Sequence, residues 1–205
     1  MTTGFLQRLF GRENAQPAAT EPATEPDPEL FARTLERAAY YRFTPRRTPV
    51  PQDVSQYGYG WESFVQDPLP QLLQLEDFDG YLFDKVFDWD AEFVEDDDSY
   101  PTRLEELARA AGTWDQVSDV FCELDNDAGT GIFRYRVGGW HREAEFDLDG
   151  DWADPNLAMD MQIDVCPDDH VIVWHEDTVI FWLPTHLADE FEQEIRSAPL
   201  GQRDL

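Results

Sequence analysis

An α+β fold is what this chain of 205 residues predicts, and three observations predict it. Helical apolar stripes sit near the start, in the middle and at the end of the folded part. From Val117 to Leu183 the hydrophobic period falls to two, the spacing of half-buried strands. The connections between those segments are too short for crossover helices, so the strands should pair antiparallel. The expectation is an antiparallel sheet of about five to six strands over residues 117–183, packed with N-terminal, middle and C-terminal helices.

The chain opens on GFLQRLFGR, residues 4–12, where Phe5, Leu6, Leu9 and Phe10 share one helical face. A Pro/Ala/Thr/Glu stretch follows, with prolines at 17, 22, 26 and 28, which reads as an extended linker. Residues 1–27 are thus a short amphipathic anchor on a Pro-rich linker, able at most to dock weakly on a membrane surface or a partner. Asp27-Pro28 is a helix start, an N-cap followed by proline at the first helical position. Leu30, Phe31, Leu35, Ala38 and Ala39 continue it as a stripe to about Arg42. Thr44 to Gly60 is rich in Pro and Gly and cannot hold regular structure for long. Residues 28–60 should therefore pack on an acidic α+β domain formed by residues 61–205.

Residues 61–98 are ambiguous, because Tyr81–Val94 alternates aromatics with acids and fits helix and strand in part; Leu69–Leu75 reads as a short helix after Pro68. Thr102-x-x-Glu105 is a capping box, and Leu104, Leu107, Ala108 and Ala111 carry its helix to Gly112. Beyond it, Val117–Leu124 alternates, and Ile132–Val137 and Trp140–Leu148 flank a Gly138-Gly139 hairpin turn. That turn places Phe133 opposite Ala144, Val137 opposite Trp140 and Arg134 opposite Glu143. Gln162–Cys166, His170–His175 and Thr178–Leu183 read as further strands; the last two are apolar on both faces and should be central. Leu187, Phe191 and Ile195 stripe a C-terminal helix over about 185–197.

Charge is the most unequal property of the chain. Residues 1–60 hold seven acids and seven bases, so the whole formal charge of −29 falls on residues 61–205, where 37 acids meet 8 bases. From Glu143 to Ile195 there are sixteen Asp and Glu and no Lys or Arg. Such a field repels nucleic acid and anionic membrane and attracts cationic partners. Arg33, Arg37, Arg42, Arg46 and Arg47 are the obvious internal counter-charges. No run reaches the roughly 18 apolar residues of a membrane span. The start lacks the pattern of a secretory signal, and Cys122 and Cys166 read as reduced packing residues, so the expected location is cytoplasmic.

Motifs for chemistry are weak. Asp147-Leu-Asp-Gly-Asp151 and Asp125-Asn-Asp127-Ala-Gly129 fail the EF-hand pattern and read as turns. The histidines at 141, 170, 175 and 186 have no metal spacing. Cys122, in an alternating strand, reads as inert. No P-loop, nucleophile elbow or dinucleotide fingerprint is present. No catalytic residue, metal ligand or cofactor is expected.

What remains is an acidic protein-binding module that neutralises or sequesters a basic partner. This is the physical type of immunity proteins and nucleic-acid mimics, and the likeness is of charge and size alone. The face expected to carry it is Asp147, Asp149, Asp151, Asp168, Asp169, Glu176 and Asp177, all beside turns. One alternative is an enzyme, such as a carboxylate-dependent hydrolase, whose site is hidden in the acidic background. Another is that the acidity is general solubility or salt adaptation; the neutral first sixty residues argue against it.

Overall fold

The computed structural model describes residues 26–175 and 178–197. The expected anchor at Phe5, Leu6, Leu9 and Phe10 lies outside them, as do Glu176 and Asp177. The order of elements is α1 (Pro28–Tyr40), α2 (Pro51–Tyr57), α3 (Trp61–Gln66), α4 (Pro68–Leu73), β1 (Glu76–Asp77), β2 (Gly80–Tyr81), β3 (Val86–Asp88), α5 (Ser99–Ala111), β4 (Val117–Asp125), β5 (Thr130–Val137), β6 (Trp140–Asp147), α6 (Pro155–Asp164), β7 (His170–His175), β8 (Val179–Pro184) and α7 (Thr185–Ser197). The fold is α+β with antiparallel pairing throughout, as the spacing predicts.

The strands of residues 117–183 do not join into one sheet. They divide between β4-β5-β6 and β3-β8-β7, with β1-β2 a separate hairpin. The cause is α6, which replaces the strand expected at Gln162–Cys166. Its start repeats the signal that opens α1: the Asp154 carboxylate accepts from the backbone N–H of Asn156 and Leu157 at 2.9 Å, and Pro155 holds the first helical position. Leu157, Met161 and Val165 then fall on one buried face at a spacing of four. The helix lies against β6, where Arg142 pairs with Asp160 and Asp164 at 3.0 Å. β8 takes its second neighbour from the ambiguous region instead: Val86 faces Phe181 and Phe87 faces Ile180.

β8 is the central strand its doubly apolar sequence predicts, buried along its whole length. β7 is apolar on both faces but stands at the edge of the sheet. The β3-β8-β7 sheet separates two cores. Val179, Phe181 and Leu183 pack with α1, α4 and α7, while Ile180 and Trp182 pack with α5, α6 and the β4-β5-β6 sheet.

Two further differences are local. α5 begins at Ser99, ahead of the expected capping box, and the Ser99 hydroxyl accepts from Glu95 and Asp96 N–H at 2.9 and 3.0 Å. Thr102 therefore lies inside the helix, which ends at Gly112 (φ 80°) as the sequence predicts. In the Pro-rich stretch, Pro51 starts the short α2, and Asp53 accepts from Val50 N–H at 2.7 Å.

Candidate acidic interaction face

The Gly138-Gly139 hairpin has the register its turn dictates, with Val137 opposite Trp140, Arg134 opposite Glu143 and Phe133 opposite Ala144. Residues directly opposite one another across a sheet share a face. The same register sets Ile132 opposite Glu145 and Thr130 opposite Asp147. On the other side of β5, β4 sets Glu123 opposite Ile132 and Asp125 opposite Thr130. Two adjacent rows result on the solvent face, Glu123–Ile132–Glu145 and Asp125–Thr130–Asp147. Their four carboxylates stand on a rectangle of backbone positions about 7 Å by 10 Å.

The opposite end of the face is compensated. Arg136 pairs with Asp119 at 3.2 Å, Arg134 stands opposite Glu143, and its guanidinium lies 4.2 Å from the ring centre of Phe121. The acidic end opens on a concavity of about 640 Å³ lined by Glu123, Asp125, Glu145, Asp147 and Asp154. Among the described residues no Lys or Arg pairs with these five. Like charges at this spacing repel by an energy on the order of 1 kcal/mol per pair.

Of the turn residues expected to form one face, those described lie beside two different sheets. Asp147 belongs to the rows just described. Asp149 and Asp151 extend outward in the following loop, whose backbone is tied down by Trp152 N–H to Asp149 O at 3.2 Å and Val94 N–H to Asp151 O at 2.8 Å. Asp168 and Asp169 lie in the turn between α6 and β7, in the other sheet. Asp168 is exposed there. Asp169 is engaged: its carboxylate lies 2.7 Å from His170 Nδ1, and its carbonyl accepts from Thr185 N–H at 2.9 Å and from the Thr185 hydroxyl at 3.1 Å. The hydrogen bond with His170 holds the Asp169 carboxyl below the usual carboxylate range. Asp169 therefore pins the start of α7.

Glu123, Asp125, Glu145 and Asp154 are not among the residues the sequence singles out. The signal for Glu145 is present in it, since the hairpin register already implies that position. Glu123 and Asp125 need the β4–β5 register as well, which the loop from Asp125 to Thr130 sets.

The two thiols are poor nucleophiles. Burial, reinforced by Asp97, Asp96 and Asp98, pushes Cys122 up to about 12, and burial beside Asp169 pushes Cys166 up to about 11. Among the described residues no three His, Cys, Asp or Glu side chains are grouped to hold a metal ion, and no helix is long and apolar enough to cross a membrane. The chain matches no protein-family model, no curated protein and no solved structure.

Proposed function

We propose that the chain is an acidic protein-binding module that captures a basic partner through the carboxylate rows of the β4-β5-β6 sheet. The observation that carries this reading is the pair of rows ending at Asp125 and Asp147, which hold four carboxylates and no paired cation among the described residues. A row of like charges on a rigid sheet costs stability through self-repulsion, and a cationic surface docked on it relieves that cost. Charge complementarity of this kind accelerates encounter more than it raises final affinity. The unpaired thiols accord with a reducing compartment, and we place the protein in the cytoplasm.

The uneven use of arginine favours recognition over general salt adaptation. Arg37, Arg46 and Arg47 neutralise Glu190, Glu194, Asp53 and Asp77 elsewhere on the molecule, while the rows keep their charge.

The test is kinetic. A basic protein retained by the chain from its native lysate at low salt is identified, purified and mixed with the native chain and with the Glu123→Gln/Asp125→Asn/Glu145→Gln/Asp147→Asn variant. Association should slow by roughly tenfold or more at low ionic strength, with a shallower salt dependence. An unchanged rate, with only the low-salt melting temperature raised, would mean that the rows are a solvated surface.

A further inference from the structure

The hairpin β1-β2 holds Phe78 almost wholly in solvent, at 98% exposure. Single exposed apolar residues are ordinary on protein surfaces, so exposure alone assigns nothing. What sets this one apart is the rigidity of its support. Phe78 and Asp79 form the tip, Asp77 pairs with Gly80, and Gly80 takes the left-handed conformation (φ 95°) that lets the chain return.

Arg46 reaches across the hairpin and ties its turn backbone. Its Nε donates to Tyr81 O at 2.5 Å, Nη1 to Asp79 O at 3.1 Å, and Nη2 to Gly80 O at 2.5 Å and Asp77 Oδ1 at 3.0 Å. Asp77 Oδ1 also accepts from Asp79 N–H at 3.0 Å, and Asp77 Oδ2 from Arg47 Nε at 3.4 Å. Arg47 is anchored in turn by a two-pronged pair with the buried Asp53, at 2.8 and 2.9 Å. A two-residue tip needs no such clamp to exist, and polar residues are the usual occupants of its apex. The clamp fixes the turn backbone that carries Phe78, so less backbone freedom is left to lose on binding.

The surroundings narrow the choice of occupant. Tyr59 is a further exposed aromatic, at 75%. Glu76, Asp79 and Asp88 are exposed around the hairpin, and among the described residues none of them is in an ion pair. A second copy of the chain would bring the same acids, and a formal charge of −29, against themselves. An anionic membrane is repelled for the same reason.

We propose that Phe78 is a preformed anchor that inserts into an apolar pocket, rimmed by basic groups, on another protein. The proposal deepens the reading of the chain as a module for a basic partner and rests on it. Phe78 would be the buried aromatic at the centre of the contact, and Glu76, Asp79 and Asp88 its charged surround.

The experiment places p-benzoylphenylalanine at position 78 of the full chain in the cells that natively carry it. A second variant with the same photoprobe at Met159, exposed on α6, controls for general stickiness. Illumination should give a discrete adduct from position 78 alone. With the cross-linked protein purified, Phe78→Ala should weaken its binding roughly thirtyfold or more, and Asp79→Asn a few-fold. The melting temperature of Phe78→Ala should match that of the native chain, because the side chain is exposed in the free protein. No adduct, equal adducts at both positions, or a partner that binds Phe78→Ala as tightly as the native chain overturns the proposal. A basic partner that ignores Phe78→Ala but loses association rate when the sheet rows are neutralised removes the anchor and keeps the wider reading. A partner lost with Phe78→Ala and weakened by salt, yet indifferent to neutralisation of the sheet rows, upholds the anchor and removes the rows from the wider reading.

Discussion

Arg37 on α1 and Glu194 on α7, 157 positions apart, form a forked ion pair. The guanidinium Nε donates to both carboxylate oxygens at 3.2 and 3.1 Å, and Nη2 donates to Oε2 as well. The Tyr41 hydroxyl donates to the same Oε2 at 2.6 Å. One arginine of the neutral N-terminal stretch thus closes the first core against the last helix. Arg46 and Arg47 of that stretch are likewise paired internally, with Asp77 and Asp53.

The pair makes an acid-dependent contribution to stability. Burial works to raise the Glu194 carboxyl, but the hydrogen bonds from Arg37 and Tyr41 outweigh it and hold the group below its ordinary 4.5. A carboxyl depressed in the folded state stabilises fully above its unfolded value and loses that contribution as pH falls through the folded one. Glu194→Gln should therefore cost about 1 kcal/mol at pH 7, or roughly 2–4 °C in melting temperature. The gap between native and variant chains should shrink as the pH is taken from 5 to 3. Thermal melts over that range check it, and a gap independent of pH would assign the loss to packing.

Gly131 should not tolerate a side chain. On the central strand β5 it lies between Leu124 and Phe146, and a Cβ there would stand 2.5 Å from Phe146 Cζ and 2.9 Å from Leu124 Cδ2. Overpacking of this kind costs about 1–3 kcal/mol, so Gly131→Ala should lower the melting temperature by several degrees. Gly139→Ala, at the hairpin turn with nothing within 4 Å, should be nearly neutral. Parallel thermal denaturation of the two variants decides the matter.

Both cysteines should resist modification in the folded chain. With Cys122 pushed up to about 12 and Cys166 to about 11, the thiolate fraction at pH 8 is small at each. A colorimetric disulfide reagent at pH 8 should label them at least roughly tenfold more slowly than in 6 M guanidinium. Fast labelling of one thiol under native conditions would mean that its segment opens readily to solvent.

Removing residues 1–25 should leave the melting temperature within about 2 °C of the full chain. α1 carries its own start, since Asp27 Oδ1 accepts from the N–H of Glu29 and Leu30 at 3.0 Å. A fall of many degrees would show that the deleted stretch packs on the first core.

Local patterns are legible in the sequence wherever the deciding contacts lie within a few residues. Asp27-Pro28, Gly112 and Gly138-Gly139 set helix ends and a hairpin register by backbone chemistry alone, and the structure has each of them. The same chemistry at Asp154-Pro155 announces α6, against the period-two pattern of Gln162–Cys166. Five residues spanning the end of a helix can alternate by chance, whereas an N-cap with proline behind it is a specific signal.

The α+β class, the antiparallel pairing and the confinement of charge to residues 61–205 all follow from the order of residues, because hydrophobic period, turn chemistry and composition act at short range. That β8 pairs with Val86–Asp88, so that the strands divide into two sheets, emerges only when the chain is packed. Packing also selects which acids keep their charge. Arg37 reaches Glu194 and Arg46 reaches Asp77, while Glu123, Asp125, Glu145 and Asp147 meet on the β4-β5-β6 sheet with no arginine paired to them among the described residues. An acid's charge is cancelled by whatever cation the fold brings within about 4 Å, and sequence separation says nothing about that distance.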